Sequence, residues 1–155
     1  MDECIFCKII RRESPVSAFY EDEVVLGLMT IGPVTEGHAM VIPKKHAAYL
    51  SEMDEQTGRH LWTITQRTAA AIRDSGVRCE GINLFLADGE AAFQEVFHVH
   101  MHVFPRYKGD PFKLVADWEN QPPREELDRV ASQIRAAYTR LWQSTEVETQ
   151  QSDQT

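Results

Sequence analysis

The segment FHVHMHVFPR, residues 97–106, decides the fold prediction because it places three histidines on alternate residues. Alternate side chains of a β-strand point to the same face of a sheet. The pattern therefore predicts a strand with one imidazole face, formed by His98, His100 and His102, backed by an apolar face. Three of the chain's six histidines lie on that strand, so its imidazole face needs a chemical explanation.

Turn residues and apolar alternation predict an antiparallel sheet around the histidine strand. Three short strands are predicted before it, at 18–20, 24–29 and 39–42, with glycine and proline turn signals between them. A further apolar strand begins at Gly81, and the turn-rich loop 88–92 connects it to the histidine strand.

Two helices complete the predicted domain, which is α+β and spans residues 1–143. A long central helix from about Ser51 to Asp74 has an apolar stripe at Leu61, Ile64, Thr65, Thr68 and Ile72. A C-terminal helix follows Pro123, with acidic residues in its first turn, and runs to about Trp142. The polar tail at 144–155 is predicted to be disordered.

Composition limits the classes of partner. The 155 residues are 43% hydrophobic, which is typical of one globular domain with its own core. A formal net charge of −8 argues against a broad nucleic-acid or acidic-membrane surface. An anionic ligand would need a local cluster of positive or hydrogen-bonding groups.

The N-terminal residues and the cysteines predict a cytoplasmic protein. The first fifteen residues carry acids early and no long apolar core, so they do not form a signal peptide, and no apolar run reaches bilayer length. The chain has three cysteines, an odd number, and disulfides are rare in the cytoplasm. We therefore interpret Cys4 and Cys7 as free thiols or metal ligands. Cys79 stands alone and is interpreted as a small buried side chain.

Three imidazoles on one face are unusual because they would repel one another on protonation. A partly exposed polar face explains a single histidine but not three. Two uses remain, metal binding and phosphoryl chemistry, since a neutral imidazole is both a ligand and a nucleophile. The pair Cys4 and Cys7 also has alternatives: a redox pair, two small buried residues or metal ligands.

Several motifs, in order, resemble those of the histidine triad (HIT) nucleotide-binding proteins. FHVHMHVF at 97–104 matches the HxHxHxx pattern, and QEVF at 94–97 precedes it as in that family. CIFCKII at 4–10, GHAMVIPKKH at 37–46 and the Pro105-Arg106 pair are also similar. The resemblance covers roughly residues 4–112, and several independent motifs in the right order are far more specific than one alone.

The resemblance implies a HIT-like fold and a hydrolase or transferase acting on the α-phosphate of a nucleotide. His100 would be the nucleophile that forms a nucleotidyl-histidine intermediate, and His102 would donate hydrogen bonds to phosphate and leaving-group oxygens. Gln94 matches the glutamine beside the phosphate. Branches that transfer the nucleotide to phosphate or sugar phosphate carry glutamine at the third triad position, so His102 implies that water is the acceptor.

The resemblance also implies a structural zinc ion and a homodimer. The zinc-containing bacterial branch binds metal through residues that match Cys4, Cys7, His46 and His98. Two thiolates and two imidazoles form a closed tetrahedral site, which is typical of structural zinc. Implied substrates are nucleoside phosphoramidates, adenylated amines or dinucleoside polyphosphates. The continuation HVFPRYKGD at 102–110 resembles the dinucleoside polyphosphate hydrolase branch.

Three positions depart from the family pattern. Thr30 stands where the family has an aspartate that holds the ribose. An aspartate carboxylate accepts two hydrogen bonds with a full negative charge, and a threonine hydroxyl cannot do so. Ala87 removes one expected phosphate contact, and Phe93 replaces a glycine beside the phosphate. Predicted substrate-binding residues are Thr30, Asn83, Gln94 and His102. Substrate choice is therefore left open.

Other polar residues have weaker roles. His38 is interpreted as structural or pocket-lining, and His60 as an ordinary residue on the helix surface. Four cations flank the predicted site and could offset the negative field of the chain, namely Lys44, Lys45, Arg106 and Lys108. Two alternatives to hydrolysis stay open: a nucleotide-sensing module with little turnover, and a nucleotidyltransferase with another acceptor.

Overall fold

The computed structural model describes residues 4–143, and the chain divides after Lys113 into two compact units. The predicted tail 144–155 lies outside the described residues. The predicted domain boundary at residue 143 stays a prediction.

The first unit contains one antiparallel sheet, which confirms the predicted α+β class. Its strands are β1 (Ala18–Glu21), β2 (Val25–Met29), β3 (Ala39–Pro43), β4 (Gly81–Phe85) and β5 (Met101–Arg106). The strand order is β1-β2-β3-β5-β4, so β4 lies at one edge, and every neighbouring pair is antiparallel.

Two helices accompany the sheet in this unit. The long helix α2 spans Glu55–Asp74, and every residue of its predicted stripe is buried. It begins later than predicted because the Asp54 carboxylate accepts a hydrogen bond from the Thr57 amide at 2.9 Å and caps the helix. Residues Leu50–Glu52 form a separate 3-10 turn. The short helix α1, Ile5–Ile10, was not predicted.

The second unit contains helix α3, Arg124–Tyr138, which begins directly after Pro123 as predicted and continues into a π-helical turn at Thr139–Gln143. Across residues 4–143, no helix combines the length and apolar character needed to cross a membrane.

The two faces of the sheet carry separate apolar clusters. One face packs Val25, Val41 and Val99 against α2. The opposite face packs Met40 with Phe6 and other residues of α1. Met40 is paired in register with His102, and side chains of directly paired residues lie on the same face of a sheet. The third histidine therefore lies on the α1 face.

The histidine segment keeps its predicted alternation but is only partly a hydrogen-bonded strand. β5 begins at Met101, so His98 and His100 precede it. The neighbouring strand β3 ends at Pro43. Beyond that point the histidine segment is held by a hydrogen bond from the Val99 amide to the Ala47 carbonyl oxygen at 2.8 Å. The rings of His98 and His100 both contact Phe6 on the α1 face, while Val99 packs towards α2.

Candidate active site and metal-binding cluster

A cavity of about 1060 Å³ lies on the α1 face of the sheet and contains the predicted reactive histidines. His100 and His102 line it together with His38 and Thr30. Much of the remaining wall is apolar and comes from α1, β2, β3 and the loop before the histidine segment, including Phe6, Ile9, Leu28, Met40 and Val96. The cavity is large enough for a nucleotide-sized ligand.

The His100 ring is held so that one nitrogen remains available as a nucleophile. His100 is 7% exposed, and its Nδ1 lies 2.7 Å from the backbone carbonyl oxygen of His98. A carbonyl oxygen only accepts, so Nδ1 must carry the proton. In the neutral imidazole the lone pair is then on Nε2, which is the atom that can attack phosphorus.

The buried side chain of His38 fixes the tautomer of His102. The Val34 amide donates to His38 Nδ1 at 3.1 Å, so that nitrogen is an acceptor and the proton of the neutral ring is on Nε2. His38 Nε2 lies 2.9 Å from His102 Nδ1 and donates to it. His102 must therefore carry its own proton on Nε2, as a donor.

Burial of the His38 and His102 rings keeps both of them uncharged near neutral pH. Burial lowers the pKa of His38 below its ordinary value. Burial, with smaller contributions from His100 and His38, lowers the pKa of His102 to about 4. The pair thus presents a neutral donor to the cavity near neutral pH.

We expect the His102 ring to protonate in the folded protein near pH 4, far below the ordinary value of 6.5. Its folded state binds fewer protons than the unfolded state between these values, so its contribution to the free energy of unfolding is complete above pH 6.5 and falls as the pH drops towards 4. A ¹⁵N NMR titration of the ring measures the pKa and the tautomer. A ring that titrates near pH 6.5, or that carries its proton on Nδ1, contradicts the arrangement.

The four predicted metal ligands lie together in a cysteine–histidine cluster. The side-chain donor atoms of Cys4, Cys7, His46 and His98 all lie within 4.8 Å of one another. His46 Nδ1 lies 3.2 Å from His98 Nδ1 and 3.3 Å from Cys7 Sγ. His98 Nδ1 lies 3.5 Å from Cys4 Sγ and 3.7 Å from Cys7 Sγ.

These spacings fit the donor set that a tetrahedral zinc ion requires. Zn–N bonds of about 2.0–2.1 Å and Zn–S bonds of about 2.3 Å at tetrahedral angles separate two nitrogens by about 3.3 Å, and a nitrogen and a sulfur by about 3.6 Å. Without a cation, burial and the neighbouring Cys4 raise the pKa of the Cys7 thiol. A divalent cation would reverse that effect by stabilising both thiolates.

His98 connects the cysteine–histidine cluster to the cavity that contains His100. The ring is fully buried, and its Nε2 donates to the Pro43 carbonyl oxygen at 2.8 Å, which leaves Nδ1 unprotonated towards the cysteines. Such an outer hydrogen bond is the usual support of a metal-binding histidine. The backbone carbonyl oxygen of His98 accepts a hydrogen bond from His100 Nδ1, so one residue carries a predicted metal ligand and also orients the predicted nucleophile.

Two predicted substrate-binding residues have other contacts. The Gln94 amide is buried and bonded to backbone: it donates to the carbonyls of Ala48 at 2.8 Å and Val96 at 3.2 Å, and accepts from Gly89 at 2.7 Å. Asn83 lies on β4, where its side-chain oxygen accepts from Arg106. The described wall of the cavity includes neither residue, and their assignments stay predictions.

Two residues beside Gln94 line the cavity. Phe93, singled out by its departure from the family pattern, is 81% exposed and has a left-handed backbone with φ of 67°. Glu95 also lines the cavity, and the sequence interpretation missed it. Its position five residues before His100 was the available signal.

A family profile of the HIT domain matches residues 11–109. The relative named Protein hit from Bacillus subtilis is 40% identical over 137 residues, which cover 86% of this chain and 92% of the relative. Adenosine 5′-monophosphoramidase hnt1 of Schizosaccharomyces pombe is 31% identical over 132 residues, covering 84% of this chain and 95% of that protein.

Solved structures give the same relationship. A HIT family protein from Bacillus anthracis superposes with a TM-score of 0.81 at 38% identity, over 88% of this chain and 97% of that one. A zinc-bound histidine triad family protein from Mycobacterium smegmatis superposes with a TM-score of 0.69 at 39% identity, over 88% and 98% of the two chains.

Proposed function

The chain belongs to the HIT domain family, and on that premise we propose that it hydrolyses a nucleotide substrate at its α-phosphate, the substrate being a nucleoside phosphoramidate or a dinucleoside polyphosphate. The observation that carries the proposal is the hydrogen bond from His100 Nδ1 to the His98 carbonyl oxygen, which leaves Nε2 as the free nucleophile. The relative named as a phosphoramidase supports this reaction class.

In the first step, His100 Nε2 attacks the α-phosphorus. A P–N bond forms to the ring while the bond from phosphorus to the leaving group breaks. The Nε2 proton of His102, aimed by the contact with His38, supplies a hydrogen bond where negative charge develops. Because His102 is neutral, it adds no charge of its own to the site.

In the second step, water attacks the same phosphorus and the P–N bond to His100 breaks. The products are a nucleoside monophosphate and the regenerated imidazole. A leaving amine takes up one proton from solvent in the first step, and the attacking water releases one proton to solvent in the second, so that protons balance over the two steps. Histidine rather than glutamine at the third triad position supports water as the acceptor.

We propose that the cluster of Cys4, Cys7, His46 and His98 binds a structural zinc ion. Zinc there would cross-link α1 to the segment that precedes β5. The zinc-bound relative of similar fold supports the choice of metal. All four positions are taken by protein side chains, which is typical of structural rather than catalytic zinc.

We also propose that the protein is a cytoplasmic homodimer. The three cysteines are free thiols, which suits a reducing compartment. The edge strand β4 exposes Leu84 and Phe85 at 38% and 43%, and an edge strand with apolar side chains is suited to pairing with another chain.

Turnover in H₂¹⁸O tests hydrolysis directly. We expect the protein to release nucleoside monophosphate from adenosine 5′-phosphoramidate or diadenosine triphosphate, with one ¹⁸O atom in the phosphate detected by mass spectrometry. Tight binding without product contradicts the proposal and supports a nucleotide-sensing module. Product that carries an added phosphate acceptor instead of ¹⁸O supports a nucleotidyltransferase.

A further inference from the structure

The charge of the cavity wall bears on which substrates the site accepts. Its described lining contains three histidines but neither lysine nor arginine. Glu95 is the one carboxylate among those residues. The wall therefore brings negative rather than positive charge to a ligand that is itself an anion.

The cations predicted to flank the site do not change this balance. Lys44 Nζ pairs with Glu21 at 2.8 Å, and Arg106 Nε pairs with Asp110 at 2.6 Å. Lys45 and Lys108, like these two, are not part of the described cavity wall.

Glu95 itself is exposed, and among residues 4–143 it makes no hydrogen bond or ion pair that would neutralise it. Its neighbour Gln94 has the opposite character, because that side chain is buried and bonded to backbone on both its oxygen and its nitrogen. Glu95 therefore brings a full negative charge to the cavity that contains His100, while the neighbouring Gln94 side chain is held in place by backbone groups.

We propose that Glu95 makes the site select substrates whose leaving group carries no negative charge, so that nucleoside phosphoramidates are preferred to dinucleoside polyphosphates. This inference rests on the proposed function. Both substrate classes share a neutral nucleoside and an α-phosphate, so their difference in charge lies in the leaving group. Each additional phosphate raises the electrostatic cost of placing the substrate beside an uncompensated carboxylate.

The proposal opposes one expectation from the sequence. The HVFPRYKGD continuation resembles the polyphosphate hydrolase branch, but Arg106 from that segment is bonded to Asp110 and Asn83 and lies outside the described cavity wall. The resemblance therefore places no positive charge where a polyphosphate would need it.

The test compares kcat/KM for adenosine 5′-phosphoramidate and diadenosine triphosphate in wild type and Glu95→Gln. Assays contain no added divalent cation, because Mg²⁺ would mask the polyphosphate charge. We expect wild type to prefer the phosphoramidate and Glu95→Gln to reduce that preference about tenfold, a moderate value because an exposed carboxylate is partly screened. Glu95→Lys should reduce it further. Glu23→Gln removes the same charge from an exposed site outside the cavity and should change the preference by less than about twofold.

The possible failures are distinguishable. A preference that is the same in Glu95→Gln and Glu23→Gln overturns the role of Glu95, while wild-type turnover keeps the proposed function. If wild type turns over neither substrate faster than His100→Ala does, the proposed function itself fails. Raising the salt concentration should weaken the wild-type preference and leave that of Glu95→Gln nearly constant, since screening acts on the carboxylate.

Discussion

Replacing His100 by alanine is expected to lower kcat for the preferred nucleotide substrate by at least about a thousandfold, because the substitution removes the atom that forms the covalent bond. The affinity for nucleoside monophosphate should change by only a few-fold, since most of the cavity wall is unaltered. The measurements are steady-state kinetics and calorimetric titration with AMP. Rapid acid quenching followed by intact-mass analysis should detect a nucleotidyl adduct in wild type and none in the variant.

A suitable control is His60→Gln, which removes an imidazole outside the cavity. His60 lies on α2 and contacts the Asp22 carboxylate at 2.6 Å, and a glutamine amide can still donate there. We expect this variant to keep wild-type kcat within about threefold, as is usual for substitutions remote from the reacting atoms. If His100→Ala keeps more than a tenth of wild-type kcat, the nucleophile assignment is wrong.

Removing the metal is expected to have the largest effect on stability. We expect about one zinc ion per purified chain, and a loss of most of it in Cys7→Ser. The melting temperature should then fall by about 10 °C or more, because a metal bound only by the folded state stabilises it by mass action. Elemental analysis and differential scanning calorimetry measure the two quantities. Zinc affinity should also weaken as the pH falls, because protons compete for the thiolates.

Cys79→Ser is the matched control for this experiment. Cys79 is the third free thiol, lies outside the cluster and donates to the Gly81 carbonyl at 3.1 Å, a bond that serine can keep. This variant should retain zinc and most of its thermal stability. Equal melting temperatures for Cys7→Ser and Cys79→Ser, or negligible zinc in wild type with its thiols intact, contradict the structural zinc.

The sheet and the long helix could be predicted because each has a regular apolar period. The apolar stripe on α2 repeats with the turn of a helix. Side chains from His98 to Val103 alternate between the two faces of the sheet, even at the residues before Met101 that lie outside the hydrogen-bonded strand β5. The short α1 could not be predicted in this way. It has only six residues, and it is held by packing Phe6 and Ile9 against β2 and β3, which is tertiary information.

The site shows the same division. The resemblance predicted the four metal-binding residues and the two reactive histidines, and the structure places the members of each predicted group close together. The pairing of His38 with His102 joins residues 64 positions apart, so its effect on the tautomer required coordinates. The charge of the cavity also depended on the fold, since Lys44 and Arg106 are paired elsewhere and Glu95, on the cavity wall, is not paired among the described residues.

The double use of His98 has a practical consequence for enzymology. Its ring faces Cys4 while its carbonyl oxygen holds the proposed nucleophile, so a chelating agent that removed the proposed zinc would inhibit turnover from a distance. Such inhibition would develop slowly, would not be relieved by excess substrate and would follow the loss of folded protein. An experimenter who saw only the inhibition would infer a metal-dependent hydrolase, although none of the atoms proposed to react is a proposed metal ligand.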